Sequence, residues 1–193
     1  MKKERNSRPP RKMKPVFLVF CEGETEEAYI NLLKKQYRLP IKVIPYITGM
    51  SISPGVLQRY IKAEQIGNKD IITSFLMYDL DVCDIAEKLT ACKESINVAS
   101  NPAIELWYLL HVIEQHAAIS TDSCISLLKK SDPAWASYKK GYLSETQKQQ
   151  LWDNLRSASA RAKRLPEGGN PSSSVFRLIE AMEGVNSQEI QGK

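Results

Sequence analysis

Three acids stand where two apolar runs end. Glu22 lies in Phe20-Cys21-Glu22-Gly23-Glu24-Thr25, after Val16 to Phe20; Asp79 and Asp81 lie in Tyr78-Asp79-Leu80-Asp81, after Ile71 to Met77. An acid closing one strand and a D-x-D pair closing another can converge on a hard cation. Mg²⁺ prefers about six oxygens, keeps several waters and is held by one or two carboxylates plus substrate phosphate. The pattern predicts Mg²⁺-dependent phosphoryl chemistry, nucleic-acid cleavage foremost, with Mn²⁺ as the other candidate ion. Such an ion activates water and polarises a phosphodiester, and a second can stabilise the departing oxygen. Glu22 serves there as ligand or general base. Without metal, the clustered acids repel one another and raise some pKa values.

The elements that must position these acids alternate. Val16 to Phe20 is short and continuously apolar, as in a strand buried on both faces. A helix from Glu24 to Arg38 follows, ended by Pro40. Ile41 to Ile44, extending to Tyr46-Ile47, gives a second strand. A helix around Val56 to Ile61 and a turn at residues 67–70 lead to a third strand, Ile71 to Tyr78. A helix from about Asp84 to Thr90 precedes a fourth strand, Ser95 to Ala99. This order predicts an α/β fold with a central, mostly parallel sheet flanked by helices. Asp79 and Asp81 then share a side of the chain or line the loop at the carboxyl edge, where open α/β sheets place ligands. Gly23 would allow a tight turn and close approach of phosphate. Asp84 is an outer ligand or a helix cap, and Glu24, Glu26 and Glu27 suit the dipole of their helix.

Additional helices complete the chain. Ala103 to His116 carries Leu106, Leu109, Leu110 and Ile113 on one side, with Asn101-Pro102 as its start signal. Ser123 to Lys130 is another helix, and Ser144 with Gln147 forms a capping box for one running to about Arg164. Pro166 to Pro171 breaks the chain before a last helix, Ser174 to Met182. The domain reading is a disordered basic tail over 1–14, one domain over 15–183 and a flexible tail over 184–193.

The 193 residues are 42% hydrophobic and 25% charged, enough for one real core. Residues 1–15 carry seven basic residues against Glu4, so the net charge of +5 lies in a tail able to touch phosphates non-specifically, and the rest of the chain is slightly acidic. Nothing reads as a signal peptide or membrane span. Cys21, Cys83, Cys92 and Cys124 lack metal-site spacing and fit free thiols in a reducing cytoplasm.

Cys21-Glu22-Gly23-Glu24-Thr25-Glu26 followed by Tyr78-Asp79-Leu80-Asp81 resembles a Toprim domain, the catalytic fold of topoisomerases, DnaG-type primases and OLD-type nucleases. Ser100-Asn101-Pro102-Ala103-Ile104-Glu105-Leu106-Trp107-Tyr108-Leu109-Leu110-His111 resembles the central signature of the RloB-like proteins. Asn170-Pro171-Ser172-Ser173-Ser174-Val175-Phe176-Arg177-Leu178-Ile179 is similar to that family's closing motif. Ile104 and Val112 are aliphatic where the family more often has aromatics. The resemblance implies a bacterial nuclease-like component of phage defence, commonly with an AAA-type ATPase partner. It implies Glu22, Asp79 and Asp81 as metal-site residues and marks Asn101, Glu105, Trp107 and His111 near that site.

The residues leave alternatives. Glu105 joins the acids as a catalytic carboxylate or simply favours its helix dipole. His111 binds phosphate, transfers protons or is a hydrogen-bonded core residue. Trp107 stacks on a base or packs, and Asn101 touches substrate or caps the helix. Arg161, Lys163 and Arg164, the Lys34-Lys35-Arg38 group, and Tyr138 to Tyr142 with Lys139 and Lys140 are candidate contacts for DNA or RNA. No phosphate-binding G-x-x-x-x-G-K-[ST] loop is present, so any ATP dependence belongs to a partner. The competing function is a non-catalytic or regulatory metal- or phosphate-binding partner of the ATPase, marked by an uncovered apolar patch on the Leu106 to Ile113 helix. A small phosphatase or nucleotide hydrolase is a third. Homo-oligomers are compatible with all three.

Overall fold

The computed structural model describes residues 16–39, 41–44, 51–65, 72–81 and 84–191. The expected tail over 1–14, Tyr46-Ile47, the turn at 67–70 and Cys83 lie outside them. Four parallel strands form one sheet in the order β2-β1-β3-β4: β1 Val16–Cys21, β2 Ile41–Ile44, β3 Ile72–Met77 and β4 Ser95–Asn97. Alternation decides which residues cover which face. Phe17, Val19 and Cys21 of β1 join Phe75 and Met77 of β3 in one apolar core, while Leu18, Phe20, Leu76 and Tyr78 enter a second core on the other face. That is why β1 reads as an unbroken apolar run and β3 ends in one, Phe75 to Met77.

The second core is closed by α2 (Pro54–Gln65) and α3 (Ile85–Ala91), through Leu57, Ile85 and Leu89. The first is larger. It is covered by α1 (Glu24–Tyr37), α4 (Ile104–Val112), α5 (Thr121–Ser131), α6 (Glu145–Asp153), α7 (Leu155–Ala162) and α8 (Phe176–Gln191). A short antiparallel pair, β5 (Ser100–Asn101) and β6 (Ser172–Ser173), leads into α4 and α8. The Asn101-Pro102 and Asn170-Pro171 peptides are both cis. The α/β class and the parallel sheet flanked by helices are as the sequence implies.

Several boundaries differ from the expectations. The fourth strand ends at Asn97, yet the chain keeps following β3: Val98 N–H donates to Leu76 O, and Ser100 N–H donates to Tyr78 O. Helix α4 stops at Val112, short of His116, where Arg161 Nη1 donates to Leu110 O (2.7 Å). It is also buried on every side, from Ile104 to His111, and not on a single stripe. A helix apolar all round belongs in a core. The segment from 145 to 162 is two helices, because Asn154 leaves helical geometry (φ −97°, ψ 9°). The Ser144–Gln147 capping box is present, with Gln147 N–H donating to Ser144 Oγ and Ser144 N–H to Gln147 Oε1. Helix α8 continues past Met182 to Gln191.

The central place of α4 is measurable. Leu109→Ala, at a fully buried position, should cost about 2–5 kcal/mol in urea unfolding. Ile96→Ala, on the more exposed β4, should cost no more than about 1 kcal/mol. Equal costs would place α4 at the periphery.

Candidate functional site

Strand register delivers the acids to one edge. Cys21 lies opposite Met77 in the parallel β1–β3 pair, so Glu22 and the Tyr78-Asp79 segment leave neighbouring strands at the same level. An Asp79–Ser100 bridge and the Leu80 N–H bond to Ser100 O (2.8 Å) hold the D-x-D segment against the chain beyond β4. This is the carboxyl edge of the sheet.

Asp79 does what Asn101 was expected to do. Helix α4 begins after Ala103, and no side chain of its own segment caps it. Its first amide, Ile104 N–H, donates instead to Asp79 Oδ1 at 2.8 Å, across 25 residues of sequence. Asn101 lies in β5, and its Nδ2 donates to Gly168 O at 3.4 Å. A carboxylate at a helix N-terminus is favourable, yet the surroundings oppose its charge. Burial, then the charges of Glu26 and Glu105, push the Asp79 carboxyl from 3.8 up to about 9; the Ile104 amide acts against them and Asp81 adds a little more.

Glu105 is fully buried in the first turn of α4. Tyr138 donates its hydroxyl to Glu105 Oε1 (2.9 Å), and Lys140 Nζ stands 3.7 Å from the same oxygen. Glu105 Oε2 is buried with no hydrogen-bond partner. The Lys140 side chain is 58% exposed, so this one cation meets the buried charge from the solvent side. Burial also pushes up the Cys124 thiol of α5, to about 12, with Glu105 and Asp79 adding to it. Tyr138 closes one side of Glu105 through its hydrogen bond, and the Cys124 thiol and Tyr108 are buried within electrostatic reach of the acids.

The sequence reading missed Glu26. It assigned this residue to the helix dipole, but Glu26 is buried, and its Oε2 accepts from Gly23 N–H at 3.1 Å. Its carboxyl is raised by burial, with Glu105 and Glu22 adding to the shift and backbone amides opposing it. The available signal was position: the third residue of a helix turns its carboxylate back on the residue before the helix. Tyr138 and Lys140 had no such signal beyond the lysine-tyrosine run. Their loop is tied down by Gly141 N–H donating to Thr25 Oγ1 (3.0 Å). Gly141 takes φ +76°, and a Cβ there would meet Glu24 Oε2 at 2.8 Å. Gly23, singled out for a tight turn, is extended at φ −150°, a backbone any residue adopts.

The other candidates separate. Glu22 is half-buried at the edge and close enough to add to the shift of Glu26. Asp81 is exposed and accepts from Thr121 Oγ1 at 2.8 Å. His111 is buried at the far end of α4, its Nδ1 against Trp107 O (2.8 Å) and its ring edge-on to Trp107. Burial, with Arg161 nearby, lowers its pKa to about 4, so it is a neutral core residue at ordinary pH. Trp107 is fully buried. The basic group of α7 is engaged: Arg161 on α4, Lys163 with Glu180 and Arg164 with Glu114. Asp84 stands at the start of α3 without a side-chain capping bond.

Hard oxygen donors, excess negative charge and an unpartnered buried carboxylate oxygen suit a hard divalent cation in their chemistry. Among the described residues, no three His, Cys, Asp or Glu side chains stand together in ligating geometry. Asp81 is engaged with Thr121 instead.

A protein-family model described as RloB-like protein matches residues 17–182. No curated protein and no solved structure matches the chain.

The acid cluster sets a pH dependence. A carboxyl raised in the fold contributes its full stability below about pH 4 and loses it as pH rises toward about 9. Asp79→Asn keeps an acceptor for Ile104 N–H and removes the charge. In EDTA its melting temperature should exceed that of the unsubstituted protein, by a margin that widens from pH 5 to pH 9. A pH-independent difference would mean that Asp79 titrates normally.

Proposed function

Because the chain belongs to the RloB-like protein family, we propose that it is a Toprim-type nuclease of bacterial anti-phage defence, hydrolysing phosphodiester bonds of DNA or RNA with Mg²⁺ or Mn²⁺. One observation carries the reading. Glu105 is buried with Oε2 unpartnered, in the same acid cluster as Asp79 and Glu26, at the carboxyl edge of a parallel sheet. A fold does not bury like charges together without cost, and a cation-dependent reaction is a reason to bear it.

Asp79 and Glu105, with Glu22 and Asp81 from the rim, are the residues that would hold the ion. When bound, it supplies Lewis-acid activation of water and of the phosphodiester. Glu22, half-buried, takes the proton from the attacking water. Glu26 fixes the Gly23 amide and keeps the start of α1 against the cluster. Lys140, at the solvent side of Glu105, meets the substrate phosphate. Asn101 orders the β5 end of the site, and His111 packs the far end of α4. Among the described residues no helix is long and apolar enough to cross a membrane. Any ATP dependence comes from an AAA-type ATPase partner, and self-association would leave these roles unchanged.

The regulatory reading, a metal- or phosphate-binding partner of that ATPase, draws on the lack of an assembled three-residue ligand set among the described residues. The apolar patch on α4 that would have favoured it is not exposed, because Leu106, Leu109 and Leu110 are all buried.

The test is cleavage of single- and double-stranded DNA, RNA and tRNA by the protein alone and with its neighbouring ATPase. Cleavage should need Mg²⁺ or Mn²⁺, stop in EDTA, and fall by about 10²-fold or more in Asp79→Asn and Glu105→Gln. Full activity in either variant, or in EDTA, would remove the acids from the chemistry.

A further inference from the structure

A cavity of about 290 Å³ that the proposed reaction does not use is lined by Leu80 and by none of the clustered acids. Its walls come from Leu80, α3, the end of β4, the β6 segment and the start of α8. Leu80 is the residue between Asp79 and Asp81, so the cavity and the acid cluster share the D-x-D segment. The β6 segment and the start of α8 are the closing sequence motif, Ser172 to Arg177, and residues between 162 and 168 form the remaining wall.

We propose that this cavity seats one unpaired nucleobase of the strand being cut, which makes the substrate single-stranded or locally unpaired; the proposal rests on the nuclease reading. Three observations carry it. The walls are mixed: Leu80, Ala86 and Phe176 offer apolar surface, while Asn97, Ser172 and Ser174 add polar groups. Polar groups in such a wall can pair with the ring N–H or exocyclic amino groups of a base. The rim carries cations on an aromatic ring: Lys163 Nζ and Arg177 Cζ lie 5.5 Å and 6.0 Å from the Phe176 centroid. Both are paired, with Glu180 and Glu167. Exposed pairs of this kind hold weakly, so a strand phosphate can take over either cation. Finally, size limits the occupant. Small-molecule sites span about 300–1,000 Å³, so the cavity takes one nucleotide and excludes a duplex, whose bases would have to be turned out of the stack to enter.

The occupant is a nucleotide in either of two forms, a residue within a strand or a free mononucleotide. The probes are a single-stranded hexanucleotide with one internal 2-aminopurine and free 2-aminopurine riboside monophosphate. Binding is read by fluorescence in EDTA, where no cleavage occurs. The oligonucleotide should bind saturably with quenching and should exceed the mononucleotide in affinity. Ala86→Trp and Thr90→Trp replace exposed α3 residues and fill the cavity. Each should weaken oligonucleotide binding at least tenfold with an unchanged melting temperature; two variants guard against misfolding of one. Phe176→Leu should reduce the quenching. Absence of saturable binding, or equal binding by folded Trp variants, would overturn the pocket. Tighter binding of the mononucleotide would overturn the strand assignment.

These outcomes separate from the nuclease reading. Cleavage that persists while base binding ignores the Trp variants sinks the pocket alone. Base binding lost in those variants, with no cleavage under any condition, sinks the nuclease reading and leaves a nucleotide pocket.

Discussion

The site depends on a single hydrogen bond from the first amide of α4 to Asp79. It joins the end of β3 to the start of the most deeply buried helix. The bond fixes where α4 begins, and so where Glu105, one residue further on, enters the core. It also fixes the Asp79 carboxylate among Glu26, Glu105 and Asp81, which oppose its charge. One interaction therefore organises the helix and concentrates the acids. The opposite end of α4 is closed by Arg161, so a carboxyl oxygen accepts from the first amide of the helix and a guanidinium donates to one of its last carbonyls.

Around that bond the fold supplies rigidity and little neutralisation. Tyr108 donates to Thr25 O (3.1 Å), Gly141 N–H donates to Thr25 Oγ1, and Tyr138 donates to Glu105. These bonds tie α4 and the 138–143 loop to the start of α1. Lys140 is the cation that this loop brings, and it comes from solvent. The acids thus lie between stiff walls with an exposed lysine at their solvent side. The neighbouring cavity extends the same edge toward the closing motif, joining two sequence signatures that are far apart in the chain.

Much of the fold was legible because its signals are local. Val16 to Phe20 reads as a strand buried on both faces and Ile71 to Tyr78 as another strand, and they mark the two central strands of the sheet. The Ser144–Gln147 box marked the start of α6 correctly. Failures came where distant residues decide. Asn101 carries the local signature of a cap, yet Asp79 caps α4 from another strand. Glu26 looked like a dipole residue until Glu105 and Asp79 were packed beside it. For His111 the sequence left phosphate contact, proton transfer and a hydrogen-bonded core role open, and the structure packs it against Trp107. Tyr138 and Lys140 have no sequence link to Glu105 at all.

The central claim is that the buried acids form a receptor for a hard divalent cation. Calorimetric titration of Mn²⁺ into metal-free protein, beside Glu105→Gln, tests it without reference to any substrate. The account predicts saturable binding that Glu105→Gln weakens at least tenfold and that Mg²⁺ competes away. No saturable heat, or equal binding by the folded variant, would contradict it and leave the buried acids without a cation to explain them.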